Sequence, residues 1–254
     1  MAGNDLAIRV RGLFKSFGGK EVLRGIDLEV RRGESLVLLG GSGAGKSVFL
    51  KHLIGLLTPD RGSVEIDGRD LGGLGREELL ALRRRIGMSF QEGALFDSMT
   101  VAANIAFPIR RHTLKSPAEV TARVRECLAL VRLAGVEGKM PAELSGGMRR
   151  RVGFARAIAL EPEILLFDEP TTGLDPINTA AVAAVINQLR TELEVTAVTI
   201  THDLTLVRRI ADRIAMLHRG RVIACAEPEA FLASADPYVR AFLQGEVPPD
   251  EEAS

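Results

Sequence analysis

Residues Gly40, Gly41, Ser42, Gly43, Ala44, Gly45, Lys46 and Ser47 follow the short apolar run Ser35–Leu39 and lead into helical spacing from Lys46 to Leu57. The pattern G-x-x-x-x-G-K-[ST] between a buried strand and a helix predicts a phosphate-binding loop. Its glycines let backbone N–H groups converge on an anion, and the helix N-terminus adds its positive dipole end. Lys46 is placed for the terminal phosphates of a nucleotide and Ser47 for Mg²⁺. This loop demands a parallel strand–loop–helix unit and therefore an α/β fold.

The rest of the chain supplies such units. Ile164–Phe167 and Thr196–Thr201 read as further strands buried on both faces. Leu6–Arg11 and Val22–Val30 alternate apolar and polar residues around the turn Gly18-Gly19, and Arg213–Leu217 with Arg221–Ala224 reads as a late hairpin. Ser63–Ile66 and Ile86–Phe90 are shorter strand candidates, and Glu77–Arg85 a polar helix. From Thr100 to about Met140 the spacing is helical, with Val120, Val124, Leu128 and Val131 on one face and breaks expected at Pro108 and Pro117. This segment reads as a helical subdomain inserted in the α/β core. Arg149–Leu160, Ala180–Leu193, Leu204–Ala211 and Asp236–Gln244 are the remaining helices expected. The acidic, proline-bearing end reads as disordered.

Composition narrows the function. Lys and Arg number 33 against 33 Asp and Glu, so a whole-chain footprint for nucleic acid is missing. With no Trp and 1 Tyr, base stacking is excluded as the main activity. No apolar run approaches the roughly 18 residues of a membrane span. The first residues lack the apolar stretch of a secretory signal, and Cys127 and Cys225 make no disulfide or metal framework.

Two further clusters carry chemistry. Asp168 and Glu169 end an apolar strand, at the sheet edge where α/β folds bind ligands. Asp168 is placed to hold Mg²⁺ and Glu169 to orient or deprotonate a water; a helix cap followed by a first-turn acid is the plainer reading. Ser145-Gly146-Gly147 precedes a helix. It is either a simple cap or a second anion site, which would suit a composite site built by two copies head to tail.

The phosphate loop, Gln91, Leu144–Met148, Asp168-Glu169, Gly173-Leu174-Asp175 and His202 occur in one order. That order resembles the ATPase subunit of an ABC transporter over about residues 6–245. The resemblance implies a RecA-like P-loop NTPase core with a small antiparallel β subdomain (about 6–90 and 155–245). It further implies a helical subdomain (about 91–154), leaving 246–254 as a tail. It implies two ATP molecules, with Mg²⁺, between two ATPase subunits. Phe17 would stack on adenine, unless it is a core residue. Gln91 would contact Mg²⁺ and water, unless it is a surface glutamine. Ser145, Gly146, Gly147 and Asp175 would clamp the partner's nucleotide, with a bare turn as the alternative for Asp175. His202 would meet the γ-phosphate, with Glu169 and Lys46 as its catalytic partners. A small GTPase is excluded by the Ser-Gly-Gly motif and His202.

Gln91–Val101, Asn104–Ile109, Met148, Asp168–Ile177 and Asp236–Gly245 are similar to the Mla-type ATPases of MCE-associated phospholipid transport. That similarity implies an inner-membrane permease, an MCE-domain lipid-binding protein and often a STAS-domain subunit. The ATPase would be peripheral, at the cytoplasmic face of the bacterial inner membrane. An importer ATPase for amino acids or another small solute is the alternative, followed by a soluble ABC protein without a permease.

Overall fold

The computed structural model describes residues 5–91 and 93–246. Two sheets share the chain. The strands β1 (Leu6–Phe17), β2 (Lys20–Arg31), β4 (Arg61–Ile66) and β5 (Arg69–Asp70) form an antiparallel sheet in the order β2-β1-β4-β5. The second sheet contains β3 (Ser35–Leu39), β6 (Ile86–Ser89), β7 (Ile164–Asp168), β8 (Thr196–Thr201), β9 (Arg213–His218) and β10 (Arg221–Ala226). Its order is β10-β9-β3-β8-β7-β6, parallel except for the edge hairpin β9–β10.

Every residue of β3 and β8 is buried, as expected of strands covered on both faces. The pleat divides them. Leu36 and Leu38 join a core shared with β1, β2 and α1 (Lys46–Leu53), while Val37 and Leu39 face the opposite core. That opposite core is built with α3 (Val101–His112), α4 (Pro117–Leu130), α5 (Gly146–Ala157) and α6 (Pro176–Leu193). Helices α2 (Arg76–Arg84), α7 (Leu204–Ile210), α8 (Pro228–Leu232) and α9 (Pro237–Gln244) complete the fold.

Several boundaries differ from the sequence reading. The helix after the phosphate loop stops at Leu53, because the chain turns back at Gly55 with φ 62°. Pro108 does not break α3. The helix runs through it, held by Ile105 and Ile109, both fully buried on either side. Pro117 does mark a boundary, as the first residue of α4 behind the Ser116 cap. Helix α5 runs over Gly146–Ala157, starting and ending earlier than the expected Arg149–Leu160. The expected disordered tail lies outside the described residues except for Glu246.

Candidate nucleotide site

The site assembles where parallel strands end. Gly40 follows β3, Asp168 closes β7, His202 follows β8 and Gln91 lies just beyond β6. The phosphate loop is shaped by close approach. A Cβ on Gly40 would lie 2.4 Å from the Leu217 carbonyl oxygen, and one on Gly45 would lie 2.8 Å from Leu23 Cδ2. Gly45 sits at φ 107° as the N-terminal residue before α1 and supplies no side-chain cap. The first N–H groups of α1 are thus available to an anion.

Lys46 is buried. Its ammonium donates to the carbonyls of Gly40 (2.7 Å) and Gly41 (3.0 Å) and lies 3.2 Å from Glu169 Oε1. The other carboxylate oxygen of Glu169 meets His202 Nδ1 at 2.9 Å and accepts from Thr172 Oγ1 at 3.3 Å. Glu169 is 8% exposed, in the left-handed backbone region at φ 48°. A left-handed non-glycine residue costs of order 1–3 kcal/mol and is held only by its surroundings. Here the Glu169 N–H is anchored on the Ile200 carbonyl at 3.0 Å.

Asp168 faces the other way. Its Oδ1 accepts from Ser47 Oγ at 3.3 Å. Burial pushes its carboxyl above the ordinary value, with the adjacent Glu169 charge adding to the effect. A hydroxyl and a half-buried, under-compensated carboxylate at the end of the phosphate loop suit a hard divalent cation. Such an ion takes one or two protein oxygens and completes its shell with water and phosphate. Among the described residues no group of three or more His, Cys, Asp or Glu makes an all-protein cage, so Ser47 and Asp168 could hold Mg²⁺ only with a nucleotide's help.

One cavity of about 770 Å³ joins Gly41–Ser47, Gln91, Glu169 and His202. Val22, Thr172, Leu204, Phe242 and Gly245 also line it. Sequence reasoning gave these five no site role, because they arrive from separate elements through packing. Thr172 and Phe242 lay inside segments already singled out, but nothing in their spacing marks a ligand contact. Phe17 is not in this lining. It ends β1 at 45% exposure, with the Lys15 ammonium 5.6 Å from its ring centre.

Ser145, Gly146, Gly147 and Asp175 line a second cavity of about 690 Å³. Thr172 borders both cavities. Ser145 is a helix cap, its Oγ accepting from Met148 N–H at 3.2 Å. Asp175 caps α6 through the N–H groups of Ile177 and Asn178, both at 2.9 Å. The Asn178 N–H holds its carboxyl below the ordinary value. The plain capping roles are therefore real. Ser145, Gly146 and Gly147 thus bring the start of α5 to the second cavity.

Residues 23–172 match the ABC transporter family. The probable ribonucleotide transport ATP-binding protein mkl of Mycobacterium leprae is 46% identical over 94% of this chain and 69% of its own length. The methionine import ATP-binding protein MetN of Caulobacter vibrioides is 46% identical, covering 89% of this chain and 68% of its own. The intermembrane phospholipid transport system ATP-binding protein MlaF of Haemophilus influenzae is 40% identical over 96% of this chain and 92% of its own. The dimeric, post-hydrolysis structure of the ATP-binding cassette MJ0796 with ADP and Pi superimposes with a TM-score of 0.79 at 31% identity, covering 87% of this chain and 98% of that one. With its phosphate loop, its acidic strand end and its paired sheets in place, this chain belongs to the ABC transporter family, as an ATP-hydrolysing subunit.

Proposed function

We propose that the chain powers phospholipid movement between the inner and outer membranes of a bacterium, as a homodimer beneath an inner-membrane permease. The observation that carries the lipid reading is the match to the phospholipid transport relative across 96% of the chain. It is supported by the segments Gln91–Val101 and Asp236–Gly245 noted in the sequence. An MCE-domain lipid-binding protein, and often a STAS-domain subunit, would complete the system.

In this reading the triphosphate of ATP lies along Gly40–Ser47, with Phe17 beside the adenine. Lys46, already seated on the Gly40 and Gly41 carbonyls, neutralises charge on the terminal phosphates. Ser47, Asp168 and Gln91 would hold Mg²⁺, which would supply charge neutralisation on the phosphate oxygens. Water attacks the γ-phosphorus as the bond to the β-phosphate oxygen breaks, and Glu169 accepts the water's proton. His202, 2.9 Å from Glu169, orients that carboxylate and meets the γ-phosphate. Ser145, Gly146, Gly147 and Asp175 of each copy close over the other's nucleotide.

The permease docks on an apolar groove beside the site. Phe90, Phe96 and Phe107 are 38%, 43% and 44% exposed, and Phe96 and Phe107 have ring centres 5.1 Å apart. The groove is lined by these rings with Pro108. Phe90 in the groove directly precedes Gln91 in the nucleotide cavity, so one short loop joins the two. No described helix is long and apolar enough to cross a membrane, which fits a subunit attached through such a groove.

Hydrolysis measured with the co-purified permease in nanodiscs, with lipid content read by mass spectrometry, tests the proposal. Hydrolysis stimulated by the permease, with bound phospholipid, supports it. Hydrolysis stimulated by methionine without bound lipid favours a small-solute importer, the reading backed by the methionine import relative. Recovery of no polytopic partner refutes both.

A further inference from the structure

Helix α9 has no role in the machinery described above, yet it reaches the site. Its inner side is fixed: Val239 is fully buried in the larger core and Ala241 is nearly buried. Asp236 caps its start, accepting from Val239 N–H at 3.0 Å, and Gly245 ends it at φ 71°. Tyr238 and Phe242, four residues apart, therefore share one face. Their ring centres are 6.4 Å apart, and the Tyr238 ring lies 3.7 Å from that of His218 at the end of β9. Phe242 and Gly245 line the nucleotide cavity. The Tyr238 hydroxyl lies 3.9 Å from where a Cβ on Gly41 would sit. Gly41 is one of the two residues whose carbonyls seat Lys46.

We propose that α9 is a further wall of the nucleotide site. Phe242 closes the cavity beside the phosphate loop and keeps water from its edge. Tyr238, braced by His218, is a positioning residue that holds Gly41, and through it Lys46. This rests on the reading of Gly40–Ser47 as the triphosphate site. An aromatic wall lowers the local dielectric around the phosphates and strengthens their attraction to Lys46.

Tyr238 is the 1 tyrosine in the sequence, which makes it a native probe. The full chain carrying Glu169→Gln, labelled with 3-fluorotyrosine, gives one ¹⁹F resonance. Titration with ATP or ADP in Mg²⁺ should shift it, saturating with the affinity measured by equilibrium dialysis. Phe242→Ala should weaken binding of both nucleotides by about 5–10-fold, and Phe242→Tyr should restore it. A resonance that stays still while dialysis shows bound nucleotide overturns the role of α9. So does a Phe242→Ala chain that binds both nucleotides as the parent does, or a weakened one whose affinity Phe242→Tyr fails to restore. Lys46→Ala, added to the labelled chain, should abolish both binding and shift. Unchanged binding in that variant would instead overturn the phosphate-loop reading itself.

Discussion

Replacing Glu169 with glutamine keeps the side chain's shape and removes its charge and basicity. The carboxylate sits 3.2 Å from Lys46 and 2.9 Å from His202 and is 8% exposed, so little water can substitute for it. General-base catalysis contributes about 10²–10⁴-fold, so kcat should fall by about 10³-fold, or ~4 kcal/mol in the barrier. KM should not rise, because the lost charge is one that repels the phosphates. Two linked effects are expected. Without nucleotide, Lys46 loses its anionic partner while remaining buried, and the variant should melt about 2–6 °C lower. With ATP, the phosphates replace the carboxylate and the difference should shrink. With MgATP the variant should also run as a dimer on size exclusion, since closure no longer leads to hydrolysis. Phosphate release, melting with and without ATP, and size exclusion check these outcomes. A kcat within about 3-fold of the parent, against the 10² minimum for a base, would remove Glu169 from that role.

Three other substitutions probe separate parts of the site. Asp168 has a raised carboxyl pKa, and Mg²⁺ needs its ionised form. The Mg²⁺ concentration for half-maximal hydrolysis should therefore rise as pH falls toward that pKa, and Asp168→Asn should lose this dependence. Burial makes the ionised form costly in the free protein, so Asp168→Asn should also raise the metal-free melting temperature at pH 7.5 by about 2 °C. Gly40→Ala places a Cβ 2.4 Å from the Leu217 carbonyl oxygen, a backbone atom that cannot easily yield; denaturant melts should show a loss of about 2–3 kcal/mol. Asn104 is fully buried, accepts from Phe96 N–H and donates to the carbonyls of Phe96, Met99 and Thr100. Asn104→Ala should cost about 2–3 kcal/mol, speed amide exchange at Phe96 and reduce stimulation by the permease, with ATP affinity of the isolated chain unchanged.

The loops at the strand ends were legible because their residue types are chemically unusual: glycines before a lysine, acids after an apolar run. Elements that break their own period were harder. The alternation of apolar and polar residues in β1 holds only to Arg11, yet the strand runs to Phe17. The ladder shifts register between Val10 and Leu13, around Gly12 at φ 50°, so two buried residues fall three apart. Gly146 and Gly147 are poor helix formers, yet the Ser145 cap starts α5 at Gly146 rather than at the expected Arg149. Pro108 reads as a breaker in any local rule, and only burial of its neighbours carries α3 through it.

The pair Asp168-Glu169 shows how local rules and packing combine in the site itself. Adjacent residues of a strand point to opposite faces, so one alone would reach the phosphate loop if β7 simply continued. The left-handed turn at Glu169, fixed by its N–H on Ile200, re-aims the second carboxylate. Asp168 then meets Ser47 at the start of α1, while Glu169 meets Lys46 of the same loop and His202 of the next strand. Two acids next to each other in sequence thereby meet separate partners, Ser47 for one and Lys46 with His202 for the other. The sequence shows both acids, but the division between them depends on the turn, and the turn depends on β8 lying beside β7. Any change that lets Glu169 relax to an extended backbone should cost hydrolysis before it costs nucleotide binding, because Gly40–Ser47 is held by its own contacts with β2 and β9.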